Sequence, residues 1–110
     1  MFNFLRRKRE RKVMVIGLDC AAPELVFDQF QDELPTLRKL YQGGVYGELE
    51  SIIPAITVPA WSSMMSSKDP GTLGIYGFRN RRDYSYDNMF IATGDVVKEP
   101  RLWDILSEAG

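Results

Sequence analysis

The stretch Val13-Met14-Val15-Ile16-Gly17-Leu18-Asp19 decides how the rest of the sequence is read. It is a near-continuous apolar run, rich in β-branched residues, that closes on a carboxylate. A half-solvated strand would alternate apolar with polar residues, so an unbroken run predicts a strand covered on both faces, as in a parallel sheet. Open α/β sheets place their ligands at the carboxyl ends of strands, which makes Asp19 the first candidate functional residue. The competing role for Asp19 is that of a turn or helix-capping aspartate.

Working outward, Pro23 followed by Glu24, Leu25, Val26, Phe27 and Phe30 predicts a short amphipathic helix, with proline in the first turn where its missing N–H costs nothing. Pro35 opens a second helix. Its apolar face of Leu34, Leu37, Leu40 and Tyr41 is expected to form core, and Gly43 and Gly44 are expected to supply the left-handed positions that end it. From Val45 to Ile53, Val45, Gly47 and Leu49 alternate with Tyr46, Glu48 and Glu50, the period of a half-buried strand. Pro100 introduces a last helix carrying Leu102, Trp103, Ile105, Leu106 and Ala109, with Gly110 in the C-cap position. A parallel strand followed by a helix calls for another strand to cover, so the chain is expected to be part of a larger domain.

In the other direction, Arg6, Arg7, Lys8, Arg9, Arg11 and Lys12 face only Glu10, so the first twelve residues carry +5 and the remainder −6. Residues 1–12 are expected to be a solvated, disordered tail; the alternative is a non-enzymatic module that binds an anionic partner through this tail. With 110 residues the chain has room for one domain at most, and 45% hydrophobic with 26% charged residues is an ordinary soluble composition. No apolar run is long enough to span a membrane, and the first five residues are too short for a signal-peptide core. Cys20 has no second cysteine to pair with and is expected as a small buried packing residue in a cytoplasmic protein. The absence of histidine excludes a complete His-based metal site or triad built from these residues alone.

The segment from Pro54 to Phe78 interleaves Thr57, Ser62, Ser63, Ser66, Ser67 and Thr72 with Trp61, Met64 and Met65. Pro54 and Pro59 stop a strand from continuing, and a helical turn over Ala60 to Ser66 would put Thr57 at or near a helix N-terminus. Free backbone N–H groups and the positive end of the helix dipole suit a phosphate oxygen there and favour a threonine alkoxide. The plainer role is an N-cap threonine. Gly71, Gly74 and Gly77 match neither a Walker A loop nor the dinucleotide fingerprint. Arg79, Arg81 and Arg82 with Tyr84 and Tyr86 form a basic, aromatic loop suited to a phosphate or a base, or else a solvated surface.

Taken in order, Val13 to Asp19, Leu34-Pro-Thr-Leu37, Pro54-Ala-Ile-Thr57-Val-Pro-Ala-Trp-Ser-Ser-Met64 and Asp69-Pro-Gly-Thr-Leu-Gly-Ile-Tyr-Gly-Phe78 resemble the start of the alkaline phosphatase superfamily, in its type I phosphodiesterase and nucleotide pyrophosphatase branch. The resemblance covers residues 13–110. It implies the amino-terminal part of an α/β sandwich with a mainly parallel central sheet, and a two-metal hydrolase of phosphodiester or pyrophosphate bonds acting on a nucleotide-like small molecule, with no specific nucleic acid partner. Asp19 would then bind one of two divalent ions, zinc being the expected metal. Thr57 would coordinate metal and attack phosphorus, since a metal makes a hydroxyl the better nucleophile and paired ions stabilise the attacking and leaving oxygens. The remaining ligands would lie later in the sequence, leaving this part inactive alone. Members of the branch carry a phosphate-holding asparagine about three residues after the Gly-Ile pair; here Gly74-Ile75 leads to Phe78, and Asn80 stands as the substitute. A sulfatase needs an Arg after the Pro that follows its nucleophile, which Thr57-Val-Pro-Ala-Trp lacks, and a cofactor-independent phosphomutase prefers a serine nucleophile in another motif.

Overall fold

The computed structural model describes residues 12–110; apart from Lys12, the expected basic tail lies outside the described residues. The chain divides after Gly44 into two compact units.

In the first unit the predicted strand over Val13 to Leu18 does not form. These residues are exposed, Val13 at 87%, and carry no regular secondary structure. Apolar, β-branched composition favours a pleated surface, but a strand exists only as one rung of a ladder that takes up its N–H and C=O groups. Among the described residues the single ladder lies elsewhere, in the second unit. The segment ends in a turn at Asp19 and Cys20, where Cys20 has φ 58° and its carbonyl accepts from Ala22 N–H at 3.0 Å. Cys20 is exposed, which corrects the buried packing role: a left-handed turn residue stands at the surface.

The helix expected after Pro23 is a wide π-helical segment, Glu24–Gln29, closed by Phe30 N–H donating to Leu25 C=O at 2.9 Å. The next helix, α1 (Pro35–Gly43), starts with proline in its first turn as predicted, but it does not end in left-handed glycines: Gly43 is its last helical residue and Gly44 leaves it with extended backbone at φ −127°, so no left-handed turn closes it. Phe27 meets Tyr41 edge to face, with centroids 5.3 Å apart and planes at 85°. Arg38 pairs with Asp32, and Tyr41 Oη donates to Gln31 Oε1 at 3.4 Å. Leu34, Leu37 and Tyr41 are partly covered, Leu40 is exposed, and neither helix contains a buried residue. The apolar stripe expected as core is therefore half covered, because two short helical segments shield it from one side only.

The second unit opens on residues 45–56, which lack the predicted strand; Val45 is fully exposed, and Leu49 and Ile53 nearly so. Its regular elements are α2 (Thr57–Ser66), the short α3 (Pro70–Leu73), β1 (Arg79–Arg81), β2 (Met89–Ile91), a 3₁₀ turn at Gly94–Val96, and α4 (Leu102–Ala109). The strands β1 and β2 pair antiparallel with Asn80 opposite Phe90, so a mainly parallel central sheet is not present among the described residues. The architecture is mixed α and β.

The core of this unit gathers around Ile75, 1% exposed, and Pro59. From α2 it takes Pro59, Ser63 and Ser66, positions four and three residues apart and so on one face; from α3 it takes Pro70. Trp61 and Met65 of α2 line an apolar recess of about 200 Å³ together with Val97 and Arg101 of the segment leading into α4 and Trp103 of α4 itself. Arg101 fixes the start of α4. Its backbone N–H and Nε each donate to Asp104 Oδ2 at 2.9 Å, while another guanidinium N–H reaches Gly94 C=O at 3.0 Å.

Candidate active site

The start of α2 places Thr57 as the first helical residue, not as its cap; the cap position is Ile56, whose apolar side chain offers no acceptor. A helix leaves its first amides without intrahelical acceptors. Here Ile56 N–H turns back to Pro54 C=O at 2.9 Å, Pro59 has no N–H, and Ala60 N–H makes the first helical bond to Ile56 C=O at 3.0 Å. The amides of Thr57 and Val58 consequently have no acceptor among the described residues. Two unengaged donors at the positive end of a ten-residue helix, with a half-buried threonine hydroxyl on the first of them, make a place where a phosphoryl oxygen can be held beside a nucleophilic oxygen. The N-cap alternative for Thr57 does not apply in this geometry, since no side chain caps the helix.

Past the left-handed Ser67, Asp69 caps α3: Thr72 donates to it through its backbone N–H at 2.9 Å and its hydroxyl at 2.7 Å. Those bonds, the Thr72 hydroxyl first, hold the Asp69 carboxyl below its ordinary pKa. This capping role of Asp69 is not among the expectations drawn from the Asp69-Pro-Gly-Thr motif. An acidic residue ahead of proline and three before threonine is the available signal for such a cap. Gly71 lies so close that a Cβ there would sit 2.9 Å from Asp69 Oδ1. Gly74, at φ 66°, then turns the chain so that Ile75 N–H reaches Pro70 C=O at 3.2 Å and Ile75 enters the core.

Asn80, 5% exposed, closes the next turn. Its Oδ1 accepts from Tyr76 N–H at 2.7 Å and Gly77 N–H at 3.3 Å, and its Nδ2 donates to Gly77 C=O at 2.9 Å. One side chain thus satisfies three backbone groups of the Gly74-Ile-Tyr-Gly-Phe turn, and its carbonyl oxygen is fully engaged there. Asp19, by contrast, belongs to the first unit and stands exposed in its turn. Thr57 and Asn80 share the second unit. Among the described residues no three or more His, Cys, Asp or Glu side chains cluster closely enough to hold a metal ion, and no helix is long and apolar enough to cross a membrane.

A family model for type I phosphodiesterases and nucleotide pyrophosphatases matches residues 13–110, so the class is that of phosphodiester and pyrophosphate hydrolases. The chain belongs to the type I phosphodiesterase / nucleotide pyrophosphatase family. Comparison with curated proteins and with solved structures gave no match.

Proposed function

We propose that this chain carries the nucleophile-bearing part of a metal-dependent hydrolase of phosphodiester or pyrophosphate bonds. The observation that supports it most is the start of α2, where the Thr57 hydroxyl lies beside the unengaged amides of Thr57 and Val58 in a chain of this family. In this reading the two amides hold a phosphoryl oxygen, the hydroxyl oxygen bonds to phosphorus as its proton is lost to solvent and the bond to the leaving alcohol or phosphate breaks on the opposite side, the leaving oxygen takes a proton from solvent, and water then cleaves the threonine phosphoester to restore the hydroxyl. Asn80 keeps the 76–77 turn in shape and has one amide hydrogen left for a substrate oxygen. The Asp19 carboxylate and the Thr57 hydroxyl are each oxygen donors of the kind divalent ions accept; by likeness to the family, Asp19 would hold one of two divalent ions and Thr57 would coordinate metal, each ion taking further ligands. Two divalent ions, zinc being the expected metal, would supply Lewis-acid activation of the hydroxyl and charge stabilisation when bound. The further ligands, Asp and His residues, are proposed to come from beyond these 110 residues.

The test joins the chain to an Asp/His-rich continuation and follows a nitrophenyl phosphodiester with metal content measured in parallel. Thr57→Ala is expected to lower turnover by several powers of ten while most metal stays bound, Asp19→Ala to lower both, and Thr57→Ser to keep measurable activity. The 110-residue chain alone is expected to give no metal-dependent turnover. Undiminished turnover in Thr57→Ala would remove the nucleophile from the reading and with it the proposal.

A further inference from the structure

The apolar recess of about 200 Å³ beside α2 begins one helical turn from the Thr57 hydroxyl. Thr57, Trp61 and Met65 follow one another at four-residue intervals, so they stand in one row along the helix, with neighbouring Cβ atoms about 5–6 Å apart. This row lies across α2 from the buried residues Pro59, Ser63 and Ser66. Trp61 and Met65 line the recess, and Val97, Arg101 and Trp103 line it with them. Helical side chains lean toward the helix N-terminus, so the surface that Trp61 covers is the turn that starts at Thr57. A substituent on a phosphorus held at Thr57 therefore has the recess within reach.

The chemistry of the lining says what kind of substituent fits. Arg101 is its one charged group, and that charge is already engaged. Its Nε donates to Asp104 Oδ2 at 2.9 Å, another N–H donates to Gly94 C=O at 3.0 Å, and the guanidinium lies 5.2 Å over the Trp103 ring. The recess thus offers two indole rings, a thioether and a valine, with no free charge for a phosphate of its own. Complete small-molecule ligands occupy about 300 Å³ or more, and an apolar cavity of about 150 Å³ takes a single benzene ring, so this volume suits one ring or a short alkyl chain. A nucleobase carries several ring donors and acceptors, and those left unpaired against an apolar wall count against it.

We propose that the recess receives the apolar substituent, one ring or a short alkyl chain, of a phosphate ester whose phosphoryl group is held at the start of α2, so that aryl and alkyl esters are favoured over nucleotides. The proposal rests on the reading of Thr57 and its amides as the phosphoryl site. Phenyl phosphate serves as the probe, titrated into the 110-residue chain with inorganic phosphate and adenosine monophosphate as separate arms. Amide and indole N–H chemical shifts report binding without any turnover, since both tryptophans of the chain line the recess. Phenyl phosphate is expected to bind at least tenfold more tightly than inorganic phosphate and severalfold more tightly than adenosine monophosphate, shifting the amides of Thr57 and Val58 together with both indoles. Trp103→Ala should remove most of that gain. Val97→Phe, which fills the recess from a position just past the 3₁₀ turn, should abolish it, and both variants should keep the parental affinity for inorganic phosphate. Equal affinity for phenyl phosphate and inorganic phosphate, with the shifts at Thr57 and Val58 intact, overturns the proposal and leaves the reading of Thr57 standing. So does adenosine monophosphate binding as tightly as the probe, or an undiminished gain in Val97→Phe. No shift at Thr57 and Val58 in any arm overturns the reading of Thr57 and the proposal with it.

Discussion

The two units show opposite relations between apolar sequence and burial. Residues 12–44 contain the apolar, β-branched run Val13 to Leu18, yet these residues stay exposed and neither helical segment buries a residue. Residues 45–110 are richer in Ser, Gly and Pro around Thr57 to Gly77, yet they hold Ile75, Pro59, Ser63, Ser66, Pro70 and Asn80 out of water. The difference lies in how backbone polar groups are satisfied. In the second unit Asp69, Gly74 and Asn80 close successive turns, so the chain folds back on itself within about twenty residues and small side chains suffice to fill the interior. In the first, an extended segment has to find a neighbouring strand before its side chains can be covered.

The largest stability effect expected from this contrast comes from paired truncations in the two units. Ile75→Ala should destabilise by about 2–5 kcal/mol, the range for emptying a fully buried aliphatic site, whereas Val13→Ala should stay within about 0.5 kcal/mol, as at exposed positions. Urea unfolding of both variants decides it, and equal losses would break the comparison. Asn80→Ala removes the partner of three backbone groups and should cost about 1–3 kcal/mol, the desolvation of donors left unpaired. Asn80→Asp keeps the acceptor oxygen but loses the donor to Gly77 C=O, so it should fall between parent and Asn80→Ala.

Acidity sharpens the comparison further. Four carboxyls of the second unit titrate below the ordinary aspartate value. Asp69 is held by Thr72, Asp83 by Ser85 and then Asn88, Asp95 by the Thr93 hydroxyl, and Asp104 by the Arg101 guanidinium. A depressed folded-state pKa means that the unfolded chain binds the proton more readily. The associated stability is complete above the ordinary carboxylate pKa and is lost as the pH falls through the lower folded value. Carbon-13 titration of the aspartate carboxyls should give midpoints below the unfolded reference at these four positions. Midpoints at the reference value would show that the turn bonds do not persist in solution. The smallest effect expected is at Ser63, whose Oγ is buried without a hydrogen-bond partner among the described residues. Ser63→Ala removes an unpaired hydroxyl at little change in volume and should leave the melting temperature unchanged or raise it slightly.

Local features were legible from the residues themselves. Pro35 in the first turn of α1, a helix over Ala60 to Ser66 with Thr57 near its start and the terminal helix through Ala109 all follow from constraints within a few neighbouring residues, whereas the left-handed glycine expected after α1 is found instead at Gly74. So did the family, because motifs in order are a property of the chain alone. The tertiary structure decided what depends on distant partners. Val13 to Leu18 and Val45 to Ile53 have the patterns of strands without forming any, since a ladder requires a second backbone that no local pattern supplies. Cys20 read as buried and lies exposed because burial belongs to the surroundings, not to the residue type. Asn80 could be singled out from its place after Gly74-Ile75, but its closing of the 76–77 turn depended on a short, specific set of distances, which exists only once the chain has turned back upon itself.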